Sequence, residues 1–522
     1  MIALNELTCV ADGIRYQARA NGDCIAQIFE GRQTSYQALD HMASQVANGL
    51  ISAKCRPGSR IGYLGKNSDR FFEVMFGAIK ANVVITPVNW RLAAPEIEYI
   101  LNNAKVEVLF VGAELYDLIE QIAPELASIN KIIAIDGGHD QWSSYTDWRD
   151  AQDNSDPMLP TALDDDMLQM YTSGTTGHPK GVQLTNGNYL SVTQQVANGV
   201  WGDYQQGEVS MVVMPVFHIA GLSPGLGSLL LGLTIVIVKD VDPMLILDLL
   251  ETHKVSYAMF VPAVIQFLNA MPGVRERDFS NFKAMTYGGS PISEDVLLTA
   301  QDIFNCDFYQ VYGLTETTGL GAVLSPEDHK PARGKLRSCG KAYPGTEIVI
   351  LGDDGQSMQV NEVGEIIYRS TSVMKGYWKN ETASAKAIQN DWFYTGDAGY
   401  LDEEGFLFIH DRIKDMIVTG GENVYPAEVE NALFSHEAIA DAAVIGVPDK
   451  KWGEAVKAVI VLESGSTVSE EQIIAYVKTK IAGYKVPKSI DFTDALPRNP
   501  TGKLLKRELR APYWKDQERQ VG

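Results

Sequence analysis

The sequence predicts an α/β protein: a large N-terminal domain of parallel α/β layers with a small antiparallel β subdomain, followed by a small α+β C-terminal domain. Three observations carry this. Short β-branched runs alternate with helix-period segments from about residue 34 to Tyr312, the texture turns to short alternating runs after Gly345, and a charged stretch, Asp411-Arg-Ile-Lys-Asp415, precedes a compact αβ unit. Strands that alternate with helices imply a parallel sheet buried on both faces. A chain of 522 residues exceeds what one core supports, so two or more domains are expected. They are placed at 1–410 and 416–522, with 411–415 as the connector.

Taken in order, Leu39, Met42, Val46 and Leu50 recur at i, i+3/i+4 spacing and predict a helix; Arg56-Pro-Gly58 then turns the chain into a strand at Arg60–Leu64. The unit repeats as helix Phe71–Ala81, strand Val83–Pro87, helix Ala94–Asn103 and strand Val106–Val111. Further strands are predicted at Ser210–Met214, Thr234–Val238, Ala258–Val261 and Lys283–Tyr287. Beyond Gly345, the runs Glu347–Leu351, Gly364–Tyr368 and Gly405–Ile409 are separated by turns such as Gly352-Asp-Asp-Gly355, the pattern of antiparallel hairpins. The C-terminal unit reads as helix Pro426–Leu433 with strands Ala442–Gly446 and Val456–Leu462.

Composition narrows the function. The five cysteines, Cys9, Cys24, Cys55, Cys306 and Cys339, are scattered and include no C-x-x-C pair, which argues against a disulfide framework or zinc site and for a cytoplasmic protein. The first residues lack the basic and apolar regions of a secretion signal. Ile219–Val238 is uncharged and long enough to span a bilayer, but Pro224 and four glycines interrupt it and Thr234–Val238 suits a strand, so a buried helix followed by a buried strand is expected. Net charge is −22, and residues 1–410 hold 28 Lys+Arg against 49 Asp+Glu, which excludes nucleic-acid binding by phosphate neutralisation. Lys478–Arg519 reverses the sign, with 11 basic and 5 acidic residues; it reads either as a solvated surface or as a face for a polyanion.

Three loops carry candidate chemistry. Tyr171-Thr-Ser-Gly-Thr-Thr-Gly-His-Pro-Lys-Gly181 combines hydroxyls, glycines and one lysine, the mixture a phosphate cradle needs: glycine backbone approaches the anion, hydroxyls donate and Lys180 adds charge. It departs from G-x-x-x-x-G-K-[ST], and a Ser/Thr/Gly-rich surface turn would have a similar composition. Tyr287-Gly-Gly-Ser-Pro291 offers bare backbone to a flat ring, or is a plain turn. Tyr312-Gly-Leu-Thr-Glu316 offers a ring, a hydroxyl and a carboxylate that could hold Mg²⁺ against phosphate oxygens, although a lone loop carboxylate is usually only solvated. Loops after the strands of an open α/β sheet are where ligands sit.

With these loops stand Pro215-Val-Phe-His-Ile-Ala-Gly221, Tyr394-Thr-Gly-Asp-Ala-Gly399, Thr419-Gly-Gly-Glu-Asn-Val-Tyr-Pro-Ala-Glu428 and Pro497-Arg-Asn-Pro-Thr-Gly-Lys503. In this order, over nearly the whole chain, they resemble the adenylate-forming superfamily of acyl-CoA synthetases, aryl-CoA ligases, firefly-luciferase-like enzymes and peptide-synthetase adenylation domains. The resemblance implies that Thr172, Ser173, Gly174, Thr175, Thr176, Gly177 and Lys180 close over the β- and γ-phosphates of ATP, and that Gly289, Ser290, Pro291, Tyr312 and Gly313 border the adenine. It places Thr315 at the α-phosphate, Glu316 and Thr175 at Mg²⁺, Asp397 and Arg412 at the ribose, and makes Lys503 the catalytic lysine that bridges the attacking carboxylate and the α-phosphate. A mobile C-terminal domain, hinged at Lys414, would then swing Gly420 and Gly421 towards a pantetheine tunnel, with Tyr484 and Lys488 meeting the CoA nucleotide; Val486 stands where some relatives carry a basic residue. His218 would gate an acyl pocket lined by Ala220, Gly221, Val261, Pro262, Gly288, Gly313, Gly321, Ala322 and Val323, almost all small or apolar.

The expected activity is therefore an ATP- and Mg²⁺-dependent acyl-CoA ligase acting on a hydrophobic carboxylic acid, medium- or long-chain fatty acids favoured. The alternatives are an arylalkenoic acid, or loading of a carrier-protein thiol. Expected partners are the acid, ATP and CoA, without nucleic acid or a transmembrane segment; a homodimer is left open.

Overall fold

The computed structural model describes residues 4–172, 179–352, 354–412, 415–419, 422–449, 451–498 and 504–515. Two compact units divide the chain, one of Met1–Glu347 with Arg369–Phe393, the other of Ile348–Tyr368 with Tyr394–Gly522.

Two large sheets form the first unit. Among the described residues one has eight strands, in the order Gly376–Tyr377, Lys180–Thr185, Asp166–Thr172, Val84–Val88, Arg60–Leu64, Val106–Val111, Lys131–Ala134, Ser143–Ser144. Arg60–Leu64 and Val84–Val88 pair in parallel and are buried at every position, as near-continuous apolar runs should be under helices on both faces. The helices Tyr36–Ser52 and Asp69–Lys80 begin at Ser35 and Ser68, whose side chains cap the first free amides. They pack closely because Gly77 has no side chain: a Cβ there would lie 2.5 Å from Val46 Cβ.

The other sheet has nine strands, and its parallel core runs Asp307–Tyr312, Ala284–Gly288, Tyr257–Phe260, Val209–Val212, Thr234–Ile237, Ile25–Phe29. Antiparallel Ala322–Leu324 extends it past Asp307–Tyr312. The uncharged stretch forms the expected pair, helix Ile219–Leu231 and strand Thr234–Ile237, separated by Gly232 at φ +86°. No described helix is long and apolar enough to cross a membrane. The predicted strands are all present, with ends moved by one to a few residues; the helix Val10–Ala20 and the Asp166–Thr172/Lys180–Thr185 hairpin were not predicted as elements.

In the second unit, Ile348–Leu351, Gly364–Tyr368, Tyr394–Leu401 and Leu407–Arg412 belong to the antiparallel subdomain read from sequence. Long strands Ile439–Asp449 and Gly453–Leu462 pair along their whole length and carry helices Pro426–Phe434 and Glu470–Lys478 over a core of Val429, Leu433, Val444, Ile460, Ile473 and Val477. None of the five cysteines is in a disulfide.

Buried His329, 1 % exposed, has an imidazole pushed by burial down to about 4. Its folded value lies below the ordinary 6.5, so its contribution to stability is complete above pH 6.5 and is lost as pH falls towards 4. By pH 5.5 the unfolded chain's extra proton is worth about 1 kcal/mol for this group. The thermal midpoint is expected to fall between pH 7.5 and 5.5, and His329→Gln to flatten part of that slope in scanning calorimetry.

Candidate active site

Thr172 and Lys180 face each other as the last pair of an antiparallel hairpin, with Tyr171 opposite Gly181. Ser173, Gly174, Thr175, Thr176 and Gly177, which the sequence assigns to phosphate, lie outside the described residues. The hairpin's base is held tightly. A Cβ on Gly181 would sit 2.7 Å from Gln169 Nε2, the Gly181 carbonyl accepts from the Trp378 amide at 2.7 Å, and Tyr171 donates its hydroxyl proton to Asn103 Oδ1 at 2.6 Å.

Tyr377 brings the charged groups together. Its strand Gly376–Tyr377 pairs with Lys180–Thr185; its ring centroid lies 4.0 Å from Lys180 Nζ, and its hydroxyl donates to Glu316 Oε1 at 2.9 Å. Thr172 Oγ1 also reaches Glu316 Oε1, at 3.4 Å. Burial lowers the Lys180 ammonium below its ordinary value, with the Glu316 charge opposing that shift. Glu316 is 8 % exposed and lies on the single turn Thr315–Thr317, after the strand that ends at Tyr312. A buried carboxylate held by neutral hydroxyls suits a hard divalent cation.

The glycines of the two strand-end loops permit backbone packing. A Cβ on Gly313 would lie 2.4 Å from the Gly319 carbonyl oxygen, and one on Gly288 2.3 Å from the Val311 carbonyl oxygen. Gly289, Ser290 and Pro291 are exposed, Gly289 at φ +82°, while Tyr312 and Thr315 are half-buried.

His218 occupies the N-cap position of Ile219–Leu231, and its carbonyl rather than its side chain accepts from the helix amides. The ring is therefore not spent on capping: Nε2 is sealed from solvent with no hydrogen-bond partner among the described residues, and burial with the Arg91 charge lowers the imidazole to about 4, so it is neutral near pH 7. Ile219 lies against Gly319, where a Cβ would be 3.0 Å from Ile219 Cγ1, and Val261 lies beside Gly289. A Cβ on Gly221 would meet the Met214 carbonyl oxygen at 2.2 Å, so that glycine seats the helix. Ala220 and Val323 are half-buried; Pro262, Gly321 and Ala322 are buried. Further along the same elements, Pro224 and Thr286 pack with Trp201, Tyr204, Ser210 and Tyr257 around a gap too tight for water. Tyr204 and Tyr257 stack at 4.2 Å, and Trp201 Nε1 is buried with no hydrogen-bond partner among the described residues.

In the second unit Asp397 is 5 % exposed and stands opposite Arg412 in register. Its amide donates to Thr395 Oγ1 at 3.0 Å, and Thr395 donates to the Ile366 carbonyl, fixing the strand beside a bulge at Ala398/Gly399. Tyr484 is 41 % exposed and Lys488 is exposed, whereas Val486 is buried in the unit's core and Lys485 pairs with Glu428 at 2.6 Å. Lys414, Gly420, Gly421 and Lys503 lie outside the described residues; Arg498 and Leu504, on either side of 499–503, form an antiparallel bridge.

Residues 14–378 match the AMP-binding enzyme family and residues 428–503 the AMP-binding enzyme C-terminal domain. The chain belongs to the AMP-binding enzyme family. This AMP-binding enzyme is 36 % identical over 499 residues to a fatty acid–[acyl-carrier-protein] ligase, ScoC, of Streptomyces coeruleorubidus, covering 95 % of each chain. It is 36 % identical over 498 residues to a feruloyl-CoA synthase of an Amycolatopsis species, covering 95 % of this chain and 97 % of the other. A solved Mycobacterium tuberculosis fatty acyl CoA synthetase superposes with TM-score 0.78 at 33 % identity, over 98 % of this chain and 99 % of that one. The enzyme is accordingly an AMP-forming acid–thiol ligase that uses ATP. Two residues packed on the Thr172/Lys180 hairpin and Glu316 were not read from sequence, Tyr377 and Asn103. The aromatic pair Tyr377-Trp378 after Gly376 was the available signal for the first; Asn103 had none, being the end of an ordinary helix.

Proposed function

We propose that this enzyme is an acyl-CoA ligase for a hydrophobic monocarboxylate, with medium- or long-chain fatty acids as the leading class and the cytoplasm as its place of action. The observation that carries the proposal is Tyr377 holding Glu316 by its hydroxyl and Lys180 by its ring face at the mouth of the phosphate hairpin. The acid's carboxylate must attack a phosphorus already surrounded by negative oxygens, so fixed cations must offset the repulsion and the charge that develops on pyrophosphate. Lys180 and the 173–177 backbone would serve the β- and γ-phosphates, Thr315 and Lys503 the α-phosphate, and Asp397 with Arg412 the ribose. Mg²⁺, when bound by Glu316 and Thr175, would add charge neutralisation at the phosphates. Gly289, Ser290, Pro291, Tyr312 and Gly313 would border the adenine. The second step, attack of a thiol on the mixed anhydride, would follow a turn about Lys414 that presents Gly420 and Gly421 to pantetheine and Tyr484 and Lys488 to the CoA nucleotide.

His218, neutral and with no partner for its Nε2 among the described residues, suits an acyl gate, with Ala220, Gly221, Val261, Pro262, Gly288, Gly313, Gly321, Ala322 and Val323 as the wall. An arylalkenoic acid is the second reading, supported by the 36 % identity to a feruloyl-CoA synthase.

Measurement of AMP release across short, medium and long straight-chain acids and cinnamate-type acids tests both. AMP release is expected to require CoA and to favour one class at least about tenfold, the worth of one well-made contact. Preference for cinnamates would install the second reading. AMP release that an added acyl-carrier protein drives and CoA does not would point to a carrier-protein thiol, and equal rates on all acids would remove the defined pocket.

A further inference from the structure

Two segments of the proposed site, at Gly288–Pro291 and at the end of Ala322–Leu324, are linked through one buried hydrogen-bonded pair, Tyr287 and His329. Tyr287, which immediately precedes Gly288–Pro291, places its hydroxyl 2.9 Å from His329 Nε2 and 3.4 Å from Gln310 Oε1. His329 Nδ1 lies 2.7 Å from the Ser325 carbonyl oxygen, and Gln310 Nε2 donates to Cys339 Sγ at 3.8 Å. The proton inventory sets the directions. A carbonyl only accepts, so Nδ1 carries the imidazole proton, Nε2 is a lone pair, and the single Tyr287 hydroxyl proton goes to it. Tyr287 is 0 % and His329 1 % exposed, so neither group can exchange its partner for bulk water. The lowered imidazole value, about 4, keeps the ring in this neutral form at working pH.

Each partner leads directly into a loop of the site. Gln310 pairs with Tyr287 in register, two residues before Tyr312. Ser325 follows the strand Ala322–Leu324, which carries part of the acyl wall. The Cys339 end is pressed onto that strand, for Gly340 lies at φ +83° and a Cβ on it would be 1.9 Å from the Val323 carbonyl oxygen.

We propose that His329 is a positioning residue: through Tyr287 and Ser325 it fixes the spacing between the adenine loop Gly288–Pro291 and the acyl wall Ala322–Val323, so that one buried side chain coordinates nucleotide and acid binding. This rests on the adenylation reading of those loops. Losing the hydroxyl link frees the two loops relative to each other, which weakens binding of both substrates while the reacting groups stay in place once both are bound.

The test is steady-state kinetics on the full chain, with ATP–pyrophosphate exchange as the adenylation readout. Tyr287→Phe, nearly isosteric, is expected to raise KM for ATP and for the acid about 3–10-fold each, the range of one buried hydrogen bond, with kcat within about twofold and KM for CoA unchanged. His329→Leu should match it, the double variant should be no worse than either, and His329→Gln, whose Oε1 can still accept from Tyr287, should recover to within about twofold. Unchanged KM values in Tyr287→Phe and His329→Leu, with only the active fraction or thermal midpoint lowered, would mean a purely structural pair and overturn the proposal while leaving the ligase reading intact. Absence of exchange by the wild-type enzyme with every acid would overturn both together.

Discussion

Lys503→Ala is expected to lower acyl-adenylate formation by about 10²–10³, the usual loss for one preorganised charge donor at a developing anion. Transfer of a preformed acyl-adenylate to CoA should stay within about threefold of wild type. The asymmetry follows from the electrostatics of the two steps. In the first, a carboxylate approaches an α-phosphate that already carries negative charge, so a cation between them lowers the barrier in proportion to the charge brought together. In the second, the phosphate is a leaving group and the attacking thiol reacts at carbon; a cation at the first position is not required. Single-turnover pyrophosphate release measures the first step and thioester formation from synthetic adenylate the second. Adenylation at the wild-type rate in Lys503→Ala would dismiss the assignment, and equal loss in both steps would mean that the lysine supports the fold of its domain.

What the sequence disclosed and what it withheld divide along a physical line. Arg60–Leu64, Val84–Val88 and Val106–Val111 were legible because strands buried on both faces must be apolar throughout, and the β-branched run Thr234–Val238 marked where the helix Ile219–Leu231 gives way to a strand. Glu316 was legible as a candidate, but not as a buried group, since its burial depends on Tyr377, 61 residues away in sequence. The same holds for Asn103, which receives a bond from Tyr171, 68 residues on. Pairings at such separation leave no periodic trace. Glycines at 221, 288 and 313 enter the acyl wall through the family resemblance, which does not say why each is glycine. Their neighbours in space are main-chain carbonyls, so these positions set how closely helix and loops approach.

Glu316→Gln isolates the charge from the shape of that group. The amide keeps an oxygen to accept from Tyr377, so the hairpin, Tyr377 and Thr172 should hold their places, while the negative charge is gone. Adenylation is expected to fall by about 10², with the Mg²⁺ concentration for half-maximal rate raised about tenfold, as a hard oxygen ligand is replaced by a weaker neutral one. Tyr377→Phe should lose only about tenfold, because the carboxylate keeps its charge and loses one orienting hydrogen bond. The charge change also reaches Lys180. Burial lowers this ammonium and the Glu316 carboxylate opposes that, so removing the carboxylate lets the lysine fall further. The alkaline limb of the adenylation rate, where Lys180 loses its proton, should therefore move to lower pH in Glu316→Gln, and stay where it is in Tyr377→Phe. A limb that moves upward in Glu316→Gln, or Mg²⁺ dependence identical to wild type, would separate Glu316 from the phosphate chemistry and leave it as a buried anchor for the Gly376–Tyr377 strand.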